Sequence, residues 1–156
     1  MLRMSRLTDY ATVILAYMAR DDDDALHTTS DVAKHTHLAT TTVSKLLKTM
    51  TRAGLIASYR GSNGGYRLAR PAREISAAEI IDALEGPVSI TECSAESHRC
   101  DLAEVCGVGN AWQRINVAIR AGLDEISLEQ LVRPGTHLAP FELSDGPNES
   151  KQAHQL

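Results

Sequence analysis

The most reactive side chains of this 156-residue chain are three cysteines, all within fourteen positions as Cys93-x6-Cys100-x5-Cys106. Free cysteines ordinarily hide singly in cores as small hydrophobes. These sit among Ser, Glu, His, Arg and Asp, so burial is a poor account of them. Thiolates gathered on a loop suit a zinc ion or an iron–sulfur cluster, and a thiol–disulfide switch is a third use of the same chemistry. Spacing leaves the metal open, although these intervals fit the short CxxC pairs of a zinc knuckle less well. His98, Glu96 and Glu104 lie nearby as weaker ligand candidates. An odd number of thiols cannot close into a full set of disulfides, and no export signal is evident, so reduced thiols in a cytoplasmic protein are expected.

A second chemistry lies upstream. From Val32 to Arg73 the chain runs 42 residues without one Asp or Glu, yet carries eight of its sixteen Lys and Arg. The rest of the chain holds all twenty acids, so the net charge of −4 conceals a basic module in an acidic protein. Phosphates of nucleic acid select for such segregation, because each neutralised phosphate releases condensed counterions. A basic run is more often a solvated face, but this window also has the pattern of a helix-turn-helix and a wing, which a solvated face does not require.

Other classes are excluded on simple grounds. No apolar run approaches the roughly 20 residues that cross a bilayer, so no membrane association is expected. The stretch Ala11 to Ala19 has acids on both sides and apolar residues at helical spacing, as a packed first helix does. None of the six histidines has a neighbouring acid or a Gly-rich oxyanion loop, so neither catalysis nor a small-molecule substrate is implied.

The elements that must position these residues follow from periodicity and punctuation. A first helix is predicted from about Asp9 to Arg20, with Thr8 as N-cap and Leu7, Ala11, Ile14, Leu15 and Met18 on its apolar stripe. Thr29 or Ser30 caps a short helix with Val32 and Ala33 inward, and His35 to Leu38 makes the turn. A second helix runs from Thr40 to about Arg52, burying Val43, Leu46, Leu47 and Met50, and Gly54 stops it. The short runs Leu55 to Tyr59 and Tyr66 to Ala69 flank a hairpin tip, Arg60-Gly-Ser-Asn-Gly-Gly65, whose glycines permit positive φ. Pro71 ends the hairpin, and Ser76 caps a helix through about Glu85. The segment Thr91 to Gly109 reads as a loop. A long helix from about Asn110 to Glu125 sets Trp112, Ile115, Ala118, Ile119, Gly122, Leu123 and Ile126 on one stripe, and a short helix spans Ser127 to Val132. From Pro134 onward the polar, Pro- and Gly-containing sequence predicts a disordered tail.

In a helix-turn-helix the N-terminal residues of the second helix approach base edges in the major groove. Here these are Thr40, Thr41, Thr42, Ser44 and Lys45, with Lys48 one turn further along. Arg60, Ser62 and Asn63 at the wing tip are placed to reach the adjacent minor groove, where a narrow, strongly negative channel favours arginine. Lys34, Arg52 and Arg67 are expected at phosphates if they touch DNA at all.

The run Arg60-Gly-Ser-Asn-Gly-Gly-Tyr66 behind a helix-turn-helix, followed by three spaced cysteines and a long helix, resembles the Rrf-type winged-helix iron–sulfur regulators over about Met4 to Val132. These include the iron–sulfur-sensing Isc-type and nitric-oxide-sensing Nsr-type repressors. The phrases Thr91-Glu-Cys-Ser94 and Gly109-Asn-Ala-Trp-Gln-Arg-Ile-Asn116 look most like the branch regulating SUF-type cluster-assembly genes. The resemblance implies a homodimer on a double-stranded DNA operator, with a cluster (2Fe–2S or 4Fe–4S) held by Cys93, Cys100 and Cys106. The Isc-type branch carries a histidine three residues after the third cysteine, where this chain has Gly109. The Nsr-type branch uses an aspartate near the start of helix one, donated by the other subunit, and Asp9 matches it. An acid in a helix's first turn is also favoured by the macrodipole alone.

The expected architecture is mainly α with a small β-hairpin wing: a winged helix-turn-helix plus a long C-terminal dimerisation helix. Residues 1–86 form the DNA-binding domain, 87–109 the cysteine-bearing loop, 110–133 the dimerisation helix and short terminal helix, and 134–156 the tail. The expected activity is repression of cluster-assembly genes in response to cluster occupancy. The rival is a structural-zinc or thiol-redox winged-helix DNA-binding protein without an iron–sulfur cluster.

Overall fold

The computed structural model describes residues 4–20, 25–89 and 108–133. The cysteine-bearing segment and the tail from Pro134 lie outside these described residues. Helix α1 (Arg6–Met18) buries Ala11, Ile14, Leu15 and Met18, a stripe at helical spacing. It starts three residues earlier than its periodicity predicts and ends two residues earlier. The reason is the cap. Ser5, not Thr8, is the N-cap, and its hydroxyl accepts the Thr8 N–H at 3.3 Å. Thr8 is fully buried, and its hydroxyl donates to Glu85, 77 positions away. Leu7 falls off the buried face and is exposed.

Helix α2 (Thr29–Thr36) is capped one residue ahead of expectation, by Thr28, in a reciprocal capping box with Asp31. His37 turns the chain in the left-handed region (φ 57°), and α3 (Thr40–Arg52) follows. Val43, Leu46, Leu47 and Met50 are buried as their spacing predicts. Helix α3 ends in a Schellman arrangement: Leu55 N–H donates to Met50 O at 3.0 Å and Gly54 N–H to Thr51 O at 3.1 Å, with Gly54 at φ +75°.

The wing is an antiparallel pair, β1 (Ile56–Tyr59) and β2 (Gly65–Leu68), in the register Ile56↔Leu68 to Tyr59↔Gly65. Ile56 and Leu68 are opposite each other and buried, which roots the wing in the core. At the tip only Gly61 has positive φ. The other two glycines answer a different need, close backbone approach. A Cβ on Gly64 would collide with Tyr59 O, and one on Gly65 would meet His27 O at 2.9 Å. His27 and Tyr66 exchange both backbone hydrogen bonds at 2.8 Å, tying the wing to the chain just before α2.

A 3₁₀ turn (Ala72–Glu74) leads to α4 (Ala77–Glu85), capped by Ser76 and Glu79 as a second capping box. Helices α5 (Gly109–Asp124) and α6 (Leu128–Val132) complete the described chain. One core unites α1, α2, α3, the wing root, Ile75, Ile80 and Leu128. Helix α6 therefore folds back on the winged helix. Leu128 is fully buried, its N–H donates to Ile75 O at 2.8 Å, and Ala77 N–H donates to Ile126 O at 2.8 Å. In contrast, α5 has no buried residue. Ala118, Ile119, Gly122 and Leu123 are half-buried, whereas Trp112 and Ile115 on the same stripe are 39% and 44% exposed. Among the described residues no helix is long and apolar enough to cross a membrane.

Candidate functional site

The helix-turn-helix and the wing bring the proposed DNA-reading residues onto the surface. Thr40, Thr41, Lys45 and Lys48 on α3 are exposed, Thr42 and Ser44 are half-buried, and Arg60, Ser62 and Asn63 at the wing tip are exposed. The opposite side of α3 is occupied by its four core residues, so these polar groups face outward by the same period that buries the apolar ones. Lys45, Lys48 and Arg60 make no ion pair among the described residues.

The N-terminus of α3, like that of α5, has no side-chain cap and no first-turn acid, and on α3 it is flanked by threonines. Helices α1, α2, α4 and α6 each begin at a Ser or Thr whose side chain accepts a backbone N–H, and each has an acid in its first turn. Helix α3 begins at Ala39, with no side-chain cap and no acid. Its first N–H groups therefore remain available at the positive end of the helix dipole, beside Thr40, Thr41 and Thr42. The sequence carried this signal, since Ala39 stands where α1, α2, α4 and α6 carry a hydroxyl.

The acid-free window overstates the free positive charge. Arg70 donates to Glu79 Oε1 at 2.7 Å and to Glu74 O at 3.1 Å, and Arg73 pairs with Glu74 at 3.4 Å. Burial alone would raise the Glu79 carboxyl, but the Ser76 N–H and the Arg70 guanidinium outweigh it and hold the group below the ordinary carboxylate range. Arg70 belongs to the structural frame of α4, whereas the Arg73–Glu74 pair is a solvent-exposed neighbour contact. Arg67 lies over the Tyr59 ring, 4.8 Å from its centroid, on the outer face of the wing. Lys34 and Arg52 are exposed.

Asp9 lies in the first turn of α1, with its side chain exposed. Among the described residues no hydrogen bond or ion pair engages its carboxylate, so it is accessible to a group from outside this subunit. The turn that carries Asp9 is braced by Glu85, which the sequence did not single out. Its Oε1 accepts the Ser5 N–H at 2.7 Å and the Thr8 hydroxyl. That hydroxyl, then the Ser5 N–H, holds the Glu85 carboxyl below its usual range. Glu85 is also the last residue of α4, so the start of α1 and the entry to the cysteine-bearing segment are joined at one carboxylate. Cys93, Cys100 and Cys106, with His98, Glu96 and Glu104, lie outside the described residues. Among the described residues no cluster of His, Cys, Asp and Glu suits a metal ion.

The Rrf2 family model, described as an iron-dependent transcriptional regulator, matches residues 4–134. Protein aau3 of Rhizobium meliloti (strain 1021) is 31% identical over 133 residues, which cover 85% of this chain and 86% of that protein. Among solved structures, CymR (YrzC), the global cysteine regulator of B. subtilis, is 30% identical with a TM-score of 0.65, covering 85% of this chain and 97% of its own. IscR of T. potens is 24% identical with a TM-score of 0.62, covering 84% and 86%, a likeness of fold. The mainly helical architecture with a two-stranded wing is the one these winged-helix regulators share. The chain belongs to the Rrf2 family of DNA-binding transcriptional regulators, which are not enzymes.

Proposed function

We propose that this protein is a cytoplasmic, homodimeric repressor of iron–sulfur cluster-assembly genes whose DNA affinity follows the occupancy of an iron–sulfur cluster. The observation that carries the DNA half is the uncapped, acid-free start of α3 beside an exposed wing tip bearing Arg60. Thr40, Thr41, Thr42, Ser44 and Lys45 enter the major groove, Arg60, Ser62 and Asn63 the minor groove, and Lys48 meets a phosphate.

The cluster half is supported by donor chemistry. Three thiolates are the ligand type that iron–sulfur clusters take, and the matching family model is described as iron-dependent. Cys93, Cys100 and Cys106 would hold the cluster, and the exposed Asp9 of the partner subunit would supply the fourth position. When bound, such a group supplies a centre sensitive to iron supply, oxygen or nitric oxide. A thiol-redox regulator is the second reading, favoured by the 30% identity to the B. subtilis cysteine regulator.

Two sets of variants test the DNA half. Arg60→Ala and Thr41→Ala are expected to change sequence preference by on the order of 1–3 kcal/mol at the bases they read. Lys48→Ala should weaken all sequences alike and flatten the salt slope by about one phosphate contact. Titrations against a selected operator and its scrambled counterpart at several salt concentrations decide this; a specificity change in Lys48→Ala with none in Arg60→Ala would refute the docking. Ala39→Asp makes a sharper contrast. It should stabilise α3 by about 1 kcal/mol as a new N-cap, yet weaken DNA binding about tenfold, since the carboxylate occupies the N–H groups and repels phosphate. A stabilised protein with unchanged affinity would show that the start of α3 does not meet the backbone.

A further inference from the structure

Helix α5 has no buried residue, so non-specific core packing does little to set its angle on the rest of the chain. Directional polar bonds do more. Arg120 grips Asp82 on α4 with both terminal guanidinium nitrogens, Nη1 to Oδ1 at 3.1 Å and Nη2 to Oδ2 at 2.7 Å. A two-pronged carboxylate–guanidinium pair fixes orientation as well as distance. The same Oδ1 accepts the Val88 N–H at 3.3 Å, and the Val88 carbonyl accepts Asn116 Nδ2–H of α5 at 3.1 Å. Gly86, at φ +90°, allows the chain leaving α4 to double back so that Val88 reaches Asp82. Val88 and Ser89 are the last described residues before the cysteine-bearing segment.

We propose that Asp82 is a positioning junction: beside the Ser76 Oγ–Asp124 Oδ1 bond at 3.2 Å, its carboxylate sets the angle between α5 and the DNA-reading fold and ties that angle to the entry of the cysteine-bearing segment. Oδ1 serves Val88 and Arg120 together, so displacing Val88 alters the carboxylate that orients Arg120. In a dimer joined through α5, a rotation at this joint swings α3 and changes the separation of the two recognition helices. Operator half-sites lie about one helical turn apart, and a rigid joint therefore demands one spacing. This inference rests on the dimer reading above.

The test uses the full-length protein, purified anaerobically, and a pool of duplexes whose half-site separation is varied in single base-pair steps. The wild type should prefer one spacing over its neighbours by about tenfold or more. Arg120→Lys keeps the charge and loses the fork; it should remain a dimer while its preference falls to about threefold or less. Asp82→Ala should do the same and also release the Val88 amide to hydrogen exchange. Should Asp82→Ala fail to fold, Arg120→Lys carries the test. Dimeric variants with an undiminished spacing preference would overturn the proposal. A wild type that is monomeric by light scattering would instead refute the underlying dimer reading, and the junction with it.

Discussion

Replacing both Ile115 and Ile119 with glutamate is expected to yield a folded monomer whose operator affinity is lower by about 10² to 10⁴-fold, the range set by losing a second linked reading head. The stripe argues for this outcome. Ile115 is 44% exposed and Trp112 39%, next to half-buried Ile119 and Leu123, on a helix that contributes nothing to the buried core. An apolar face of this kind is the sort that a second copy covers. Two carboxylates there would have to lose their hydration in a dimer, which costs far more than the apolar area returns. The winged helix should survive, because its core is built from α1 to α4, the wing root and Leu128. Light scattering gives the mass and circular dichroism the fold; an unchanged dimer mass would remove α5 as the interface.

The second large effect concerns the thiols. On the proposed function, Cys93→Ala, Cys100→Ala and Cys106→Ala are each expected to abolish the proposed cluster and leave the proposed dimer folded. The three residues stand in a polar stretch whose flanks contribute no buried side chain near the segment: Gly86 to Ser89 on one side and Val108 to Ile115 on the other are all exposed or half-buried. Loss of the ligands should therefore cost little of the packing that holds the winged helix together. The check is iron and sulfide content per subunit after anaerobic purification, beside the visible spectrum. A triple variant that kept a coloured, iron-containing centre would exclude these cysteines as ligands.

Much of the fold was legible in the sequence because it depends on local periodicity. The α3 stripe and the Ser76 cap stand where spacing and punctuation put them, and the wing strands do so to within one residue at each end, with Gly65 opening β2 rather than closing the tip. The start of α1 was not legible. Thr8 has the chemistry of a cap, but its hydroxyl is taken by Glu85, and no local signal reports a partner 77 positions away. Leu128 was grouped with the long helix by proximity in sequence; its burial in the winged-helix core comes from a long-range return to Ile75. Gly64 and Gly65 serve close backbone approach rather than conformational freedom, a need that leaves no trace in composition.

On α3 and the wing, Thr40, Thr41, Lys45, Lys48, Arg60, Ser62 and Asn63 are exposed, while Thr42 and Ser44 are half-buried. Part of the positive charge in the acid-free window is paired from outside it. Glu74 and Glu79 stand just beyond the acid-free window and engage Arg73 and Arg70, the two arginines nearest its end. Counting bases in a window treats them all alike; pairing across its boundary does not.

The coupling of cluster to DNA is tested most directly by one titration. The anaerobically purified protein is measured against its selected operator duplex before and after the cluster is stripped by a chelator, with iron and sulfide content determined in both samples. A coupling free energy between sites is typically 1–3 kcal/mol, so the two forms should differ in operator affinity by about tenfold or more. Equal affinities of the iron-loaded and stripped protein, or the absence of iron and sulfide from the anaerobic protein, would contradict the proposal that this chain is a cluster-responsive regulator.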